Sequence, residues 1–443
     1  MQEPDKQYEV DIESLDQKGR GVAHINGKTV FVEGALPLEK MLCYSTQQKP
    51  TFECAKTLTI LKPSAWRVEP ICPHFGICGG CSIQHVAENA QVSLKQRLVE
   101  ETLKHIGKVT PQEILPAISG SGIHYRHRAR LSVRFVAKKD AVLIGFREKH
   151  AHFVADINTC AILPQFMSNL LQPLRQLIKK LSVAKNIPQI ELSISDSTTV
   201  LLLRLLKPLN ENDKILLQEF IDEHTFSDHV LQFWLQLKGP DSCSAFYPKT
   251  APFLSYTLPE FNLTLQFRPT DFTQINPIVN QTLVKKVIDL LAPQSKEKIA
   301  DMFCGLGNFT LPIARSGARV VGVEGSQKLV DQAQFNASLN NLSGLTDFLV
   351  MDLFNTKQID FNAIGLIDKM LLDPPRNGAV DLIKALPEKS AIHRIVYVSC
   401  DPATLARDAQ ILVHFKGYTF TKMGVVNLFP HTTHIETIAC FEK

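Results

Sequence analysis

The stretch IADMFCGLGNFTL, residues 299–311, runs from an apolar strand through a glycine turn into a helix. Gly305 and Gly307 remove two Cβ atoms where a backbone must come close to a ligand. Strand-like runs follow at steady spacing: RVVGVEG (319–325), TDFLVMD (346–352), KMLLD (369–373) and RIVYVS (394–399), with helical segments between them. A helix precedes the series at 278–292, and the tail supplies two closing strands. This rhythm predicts a doubly wound, mostly parallel sheet covered by helices on both faces.

Ligands of such sheets sit at the carboxyl ends of the strands, and Glu324, Asp352 and Asp373 stand at three of those ends. Glu324, on the strand after the glycine turn, suits a pair of ribose hydroxyls; Asp352 suits an adenine amino group. Asn308-Phe309-Thr310 follow Gly307, so the third glycine of a dinucleotide fingerprint is absent. That argues against NAD and for S-adenosylmethionine, which has no pyrophosphate to seat.

The bulk numbers bound the rest. A chain of 443 residues, 44% hydrophobic and 21% charged, predicts two to four domains. The net charge is only +4, so any affinity for nucleic acid must come from local patches. The opening MQEPDKQYEV has no apolar core and does not read as a secretory signal. No apolar run reaches the roughly 18 residues of a membrane span, and TVLLLRLL is broken by Arg204. The expectation is a cytoplasmic monomer with no membrane segment. Ten cysteines without a signal point to metal binding or catalysis, not to a disulfide framework.

Residues 8–65 read as five or so short strands, with a hairpin signal at Asn26-Gly27, which predicts a small closed barrel able to face an oligonucleotide. Residues 91–107 carry apolar positions at helical spacing, closed by Gly107. The region 125–267 reads as mixed strands and helices, with hairpins at ARLSVRFVAK/AVLIGFREK and PQIELSISDSTTVLLLRLL. Residues 124–150 hold eight Lys or Arg against two acids, interleaved with Tyr125, Phe135 and Phe146. This pattern predicts phosphate contacts combined with base stacking.

CPHFGICGGC gives Cys72, Cys78 and Cys81, with only one CxxC unit, so a fourth ligand must come from afar. Cys160, after a turn-like Asn-Thr, can supply it. Four thiolates suit a [4Fe–4S] cluster, and a zinc site stays open on spacing alone.

YVSCDPATLARD (397–408) ends a strand on Cys400 and begins a helix, with Ser399 or Asp401 as cap and Pro402 in the first turn. A thiol at a helix N-terminus is expected to have a lowered pKa and to be nucleophilic. A pyrimidine C5 needs such a thiol, because the carbon attacks a methyl sulfonium only after thiolate addition at C6. A base must then remove the C5 proton, and Glu436 in HTTHIETIACF, an acid inside an apolar strand, is the candidate. The Asp373-Pro374-Pro375-Arg376 stretch offers neither the aromatic of many amino-group methyltransferases nor the cysteine of RNA cytosine-C5 enzymes. The nucleophile therefore has to come from elsewhere. A C5 inside folded RNA is inaccessible, so the base must be unstacked.

Together these residues resemble the S-adenosylmethionine-dependent RNA uracil-C5 methyltransferases. The family's FxQxN element appears at 272–276, DxFCGxGNF at 301–309, SCxPATLARD at 399–408 and the terminal HxE at 434–436. The resemblance implies that Cys400 is the nucleophile and Glu436 the general base. It places Gln274, Phe303, Asn308, Glu324, Asp352 and Asp373 at cofactor positions, and Cys72, Cys78, Cys81 and Cys160 as ligands of a [4Fe–4S] cluster. Members with both the cluster and a leading TRAM barrel act on 23S rRNA, which makes that the expected substrate. The implied fold is multidomain α/β. Its parts are an OB-like TRAM barrel (1–66), a central α+β iron–sulfur domain (67–90 and 118–266), and a Rossmann-like methyltransferase domain (91–117 and 267–443). Asp-Pro-Pro-Arg-Asn-Gly stands where such members usually have Asp-Pro-Ala-Arg-Ala-Gly, and leaves Asp373 in place.

Overall fold

The computed structural model describes residues 7–225, 229–239, 242–387 and 390–443, so the first six residues of the expected barrel segment lie outside them. The catalytic-type sheet has eight strands. Their order is Thr346–Val350, Arg319–Glu324, Lys298–Met302, Lys369–Leu372, Arg394–Ser399, Glu436–Glu442, Thr419–Val426 and Glu113–Ile114. The first five are mutually parallel, and Glu436–Glu442 runs antiparallel to both its neighbours. Strand order reverses between 298–302 and 369–372, which opens a crevice at their carboxyl ends.

Alternation sorts the strands' side chains onto two buried faces. Ala300, Met302, Met370, Leu372, Ile395 and Tyr397 face one core with Val99 and Leu103. Ile299, Leu371, Val396 and Val398 face the other with Leu283 and Val287 of the helix Pro277–Leu291. Two-sided burial explains why these strands read as continuous apolar runs.

The helix Glu88–Thr102 widens into a π turn, Leu103–Gly107, ended by Lys108 in the left-handed region. A Cβ on Gly107 would lie 2.6 Å from Ala406 O, so glycine lets this turn touch the helix Pro402–His414. Ile114 then pairs with Met423 and extends the sheet.

At the N-terminus six strands form one sheet in the order Gln7–Asp11, Lys40–Gln48, Phe52–Lys62, Lys28–Glu33, Gly21–Ile25, Ser14–Leu15. The two edge strands are consecutive in the chain, and Glu13 N–H donates to Val22 O at 2.9 Å. One bent segment thus occupies both edges and leaves the sheet little free edge. Asn26 and Gly27 turn the expected hairpin with positive φ at both positions.

The central sheet has six strands, ordered 243–247, 230–236, 198–204, 189–194, 128–136 and 141–145, with both expected hairpins in register. Helices Gln165–Lys180 and Glu211–His224 cover it. This burial changes the reading of the basic segment 124–150. Tyr125 is buried and its hydroxyl donates to Pro430 O at 3.0 Å. Arg128 is turned inward, with Nη2 donating to Pro269 O at 2.7 Å and Nη1 to Thr273 Oγ1 at 3.3 Å and to Asp271 O. Neither is free for RNA. The cations left on the surface are Arg130, Arg134, Lys138, Lys139 and Arg147. Phe146 is half-buried under the Arg126 guanidinium, 5.3 Å from its centroid. Among the described residues no helix is long and apolar enough to cross a membrane.

Candidate active site

A cavity of about 550 Å³ opens at the carboxyl edge of the eight-stranded sheet. Gln274, Phe303, Asn308, Glu324, Asp352, Asp373, Cys400 and Glu436 all line it. Topology does this: four of them end or follow adjacent parallel strands, and Glu436 begins the antiparallel strand at the same edge.

The glycine turn forms one wall. Gly305 has φ +55°, and nothing lies within 4 Å of where its Cβ would be, so the backbone is bare toward the cavity. Glu324 Oε2 accepts from Gly305 N–H at 3.1 Å, and Oε1 from Gly325 N–H at 2.8 Å and Ser326 N–H at 3.2 Å. The carboxylate is thereby fixed across the turn with acceptor capacity left for a diol. Phe303 holds φ +66°, a strained conformation for a bulky residue, and its ring lies 5.5 Å from that of Phe354. Beneath the turn Asp301 is fully buried and accepts from Thr310 Oγ1 at 2.5 Å. Burial lifts its pKa to about 7. Asn308 accepts at Oδ1 from the Tyr256 hydroxyl at 2.9 Å and from Asn280 Nδ2 at 3.0 Å. This bare cradle, ribose acceptor and aromatic pair fit an adenosyl group.

The other wall carries the reactive groups. Strands Arg394–Ser399 and Glu436–Glu442 pair antiparallel with Ser399 opposite Thr437. The ladder continued by one residue sets Cys400 opposite Glu436, with both side chains on one face. Asp401 caps the following helix, its Oδ1 accepting from Ala403 N–H at 2.9 Å and Thr404 N–H at 3.1 Å.

The expected lowering of the Cys400 pKa is corrected here. Burial, then Glu436 and Asp373, push the thiol up to about 12, opposed by Arg376. Burial is the main reason the expectation fails, and the Asp401 carboxylate also takes two N–H groups at the helix start. Burial also pushes Glu436 well above the carboxylate range, helped by Asp373. Asp373 itself rises to about 7, through burial and then Asp301.

Sequence reasoning missed Tyr256, Phe272, Arg376, Phe429 and His434 as cavity residues. His434 Nδ1 lies 3.3 Å from Arg376 Nη2, and burial followed by Arg376 holds its pKa down. Phe272 is 72% exposed at the cavity mouth. The available signal for it was its place at the head of the FxQxN element, 272–276; Tyr256 had none, lying in an ordinary hairpin.

Cys72, Cys78, Cys81 and Cys160 line a second, smaller cavity, together with Phe75 and Phe146. Burial raises Cys81 to about 12 and Cys160 to about 11. Between Cys78 and Cys81 the glycines are required. A Cβ on Gly80 would lie 3.0 Å from the Phe146 ring, and one on Gly79 would lie 2.9 Å from Arg147 O. Among the described residues no three His, Cys, Asp or Glu side chains converge as one metal ion needs. The four share one cavity, and thiol sulfur is the donor that both a zinc ion and an iron–sulfur cluster take.

Fold and cavity together define a methyltransferase of the Rossmann-like class with a thiol and a buried acid facing its adenosyl cradle. The tRNA (Uracil-5-)-methyltransferase family model matches residues 87–443, and the TRAM domain model matches residues 3–41. The 23S rRNA (uracil(1939)-C(5))-methyltransferase RlmD of Nitrosospira multiformis is 54% identical over 433 residues, covering 98% of both chains. That of Chromobacterium violaceum is 51% identical, covering 98% of this chain and 84% of its own. The tRNA (uracil-54, C5)-methyltransferase of Pyrococcus abyssi, solved in complex with S-adenosyl-L-homocysteine, shares the fold. Its TM-score is 0.74 at 24% identity, over 98% of this chain and 100% of that one. This chain belongs to the tRNA (uracil-5-)-methyltransferase family of RNA uracil-C5 methyltransferases.

Proposed function

We propose that this protein transfers a methyl group from S-adenosylmethionine to C5 of a uridine in 23S rRNA, in the cytoplasm and as a monomer. The observation that carries the reading is Cys400 set across from Glu436 in one cavity with the glycine cradle. The RlmD relatives, aligned over nearly the whole chain, support rRNA over tRNA as substrate, and the leading TRAM domain fits an RNA substrate of either kind.

S-adenosylmethionine, when bound, supplies an electrophilic methyl on a sulfonium. Gln274, Phe303, Asn308, Glu324, Asp352 and Asp373 hold and orient it with the uracil. The Cys400 thiolate adds to uracil C6; the S–C6 bond forms and the C5=C6 electron pair moves onto C5 and O4. C5 then takes the methyl group, whose bond to the sulfonium sulfur breaks and leaves S-adenosylhomocysteine. Glu436 removes the C5 proton, the freed pair re-forms C5=C6, and the S–C6 bond breaks to return the thiolate. Burial strengthens a carboxylate as a base, which suits Glu436 to a carbon-bound proton.

Cys72, Cys78, Cys81 and Cys160 are read as the ligands of a [4Fe–4S] cluster, which would bind them as thiolates against the burial that raises Cys78, Cys81 and Cys160. No redox step is needed in methyl transfer, so its role is structural. We read the domains as 1–66, then 67–90 with 118–266, then 91–117 with 267–443. The pairing of Ile114 with Met423 and the contact of Gly107 with Ala406 support the return of 91–117 to the catalytic domain.

The test is incubation with S-adenosylmethionine and 23S rRNA fragments containing 5-fluorouridine. Fluorine cannot leave as a proton, so a covalent protein–RNA complex stable to denaturing gels is expected with one fragment. No adduct with any fragment overturns the mechanism, and an adduct surviving Cys400→Ala overturns the nucleophile.

A further inference from the structure

Glu436 is the first residue of its strand, so the ladder fixes it from one side only. The other side is the irregular segment 427–435, which carries Phe429 and His434 into the cavity. The hydrogen bonds within that segment run through Thr432, whose Oγ1 donates to Phe429 O at 3.0 Å and accepts from His434 N–H at 3.3 Å, and none of them reaches His431. His431 has φ +64°, a conformation its backbone would leave unless held.

The restraints come from a distant part of the chain. On the helix Glu88–Thr102, Gln91 and Lys95 are one turn apart, 0% and 4% exposed, and face the segment. Gln91 Oε1 accepts from His431 N–H at 2.8 Å, and Gln91 Nε2 lies 3.1 Å from His431 Nδ1. Lys95 Nζ donates to Asn427 Oδ1 at 2.8 Å and Phe429 O at 3.0 Å. Ser82 and Ile83 N–H both donate to His431 O, at 2.9 and 3.0 Å, and Ser82 Oγ accepts from Thr433 N–H at 3.2 Å. Ser82 directly follows Cys81, so the wall of the cysteine cavity continues into this contact.

Lys95 is the telling member. A buried amine given to two neutral acceptors is a poor stabiliser, since burial pulls its pKa down to about 7 and an apolar side chain would fill the same space without that cost. What its head does supply is a grip on two points of one segment.

We infer that Lys95, Gln91 and Ser82 are positioning residues for Glu436, clamping segment 427–433 so that the carboxyl meets the C5 proton. This rests on the reading of Glu436 as the base. It separates the clamp from general stability, because Glu436 acts only after the methyl group has moved. A loosened clamp leaves thiolate addition and methyl transfer intact and slows elimination.

The experiment compares Lys95→Met, Gln91→Leu, Ser82→Ala and Glu436→Gln on unmodified 23S rRNA fragments under single turnover. Methyl transfer from labelled S-adenosylmethionine and the methylated covalent adduct on denaturing gels are followed together. For Lys95→Met and Gln91→Leu, transfer stays within about twofold of wild type, while adduct decay slows about 10- to 100-fold, the scale of a small misplacement of a catalytic group. Ser82→Ala, which deletes one hydroxyl and threatens no fold, shifts decay in the same direction by less. Adduct accumulating in Glu436→Gln but in none of the three others overturns the clamp alone. Equal slowing of transfer and decay in the three also overturns it, since that is what a general loss of structure gives. Wild-type release by Glu436→Gln overturns the base, and the clamp with it.

Discussion

Replacing Arg128 by Met separates two accounts of the basic segment. If Arg128 braces the protein, the variant leaves the carbonyl oxygens of Pro269 and Asp271 without their guanidinium donor. Ser193 Oγ still reaches Pro269 O at 3.3 Å, so one of the two is partly satisfied. An unpaired buried polar group costs about 1–3 kcal/mol. With one acceptor fully lost and one partly lost, about 2–3 kcal/mol of stability should go. The brace also holds Thr273, next to Gln274 in the cavity wall, so affinity for S-adenosylmethionine should fall as well. If Arg128 instead contacts a phosphate, stability stays and RNA binding loses about 0.7 from the slope of log affinity against log salt. Urea unfolding and filter binding over a salt series measure both quantities on one preparation. An unchanged urea midpoint with a flattened salt slope would refute the brace. Arg130→Met, removing a cation on the outer surface of the same strand, should give the opposite pair of results.

Asp301, raised to about 7 by burial, binds a proton in the native state that the unfolded chain releases near pH 4. Native protons then exceed unfolded ones between those values, so its contribution to stability falls as pH rises from about 4 to about 7; Asp301→Asn should flatten that part of the melting-temperature profile. Cys400, pushed up to about 12, should react with iodoacetamide on the order of a hundred- to a thousandfold more slowly at pH 8 than free cysteine. Its rate should rise about tenfold per pH unit up to pH 10, read by peptide mass spectrometry. Gly80→Ala drives a Cβ to 3.0 Å from the Phe146 ring and 3.5 Å from Cys78 Sγ, and on the proposed cluster reading should lower iron retained per chain after anaerobic reconstitution. Gly344→Ala, whose added carbon meets nothing within 4 Å, should leave it unchanged.

The cavity was legible in sequence to the extent that topology makes it. In a parallel sheet the carboxyl ends share one edge, so Glu324, Asp373 and Cys400 had to meet once their strands were recognised. Glu436 was legible for another reason: a buried acid in an apolar strand demands a use. Tyr256 and Arg128 were not legible. Tyr256 reaches Asn308 from 52 residues away, across a boundary that no local pattern marks. The strand Arg128–Val136 alternates as though one face met solvent, but part of its polar face is roofed by segment 269–273, so Arg128 faces protein. Periodicity gives the face of a strand and does not say what covers it.

The thiol is where local and tertiary reasoning part most sharply. A helix start predicts a lowered pKa, yet Asp401 occupies its N–H groups while Glu436 and Asp373 crowd the sulfur. Three acids in one cavity titrate as a set, and no two of them ionise cheaply together. Charge on Glu436 and Asp373 opposes charge on the sulfur, which burial already disfavours. On the proposed roles, addition to C6 removes that opposition, because it turns the thiolate into a neutral thioether beside the base. A lowered thiol pKa, set by the helix alone, would have given a more reactive Cys400 in the empty enzyme and no such coupling to the base.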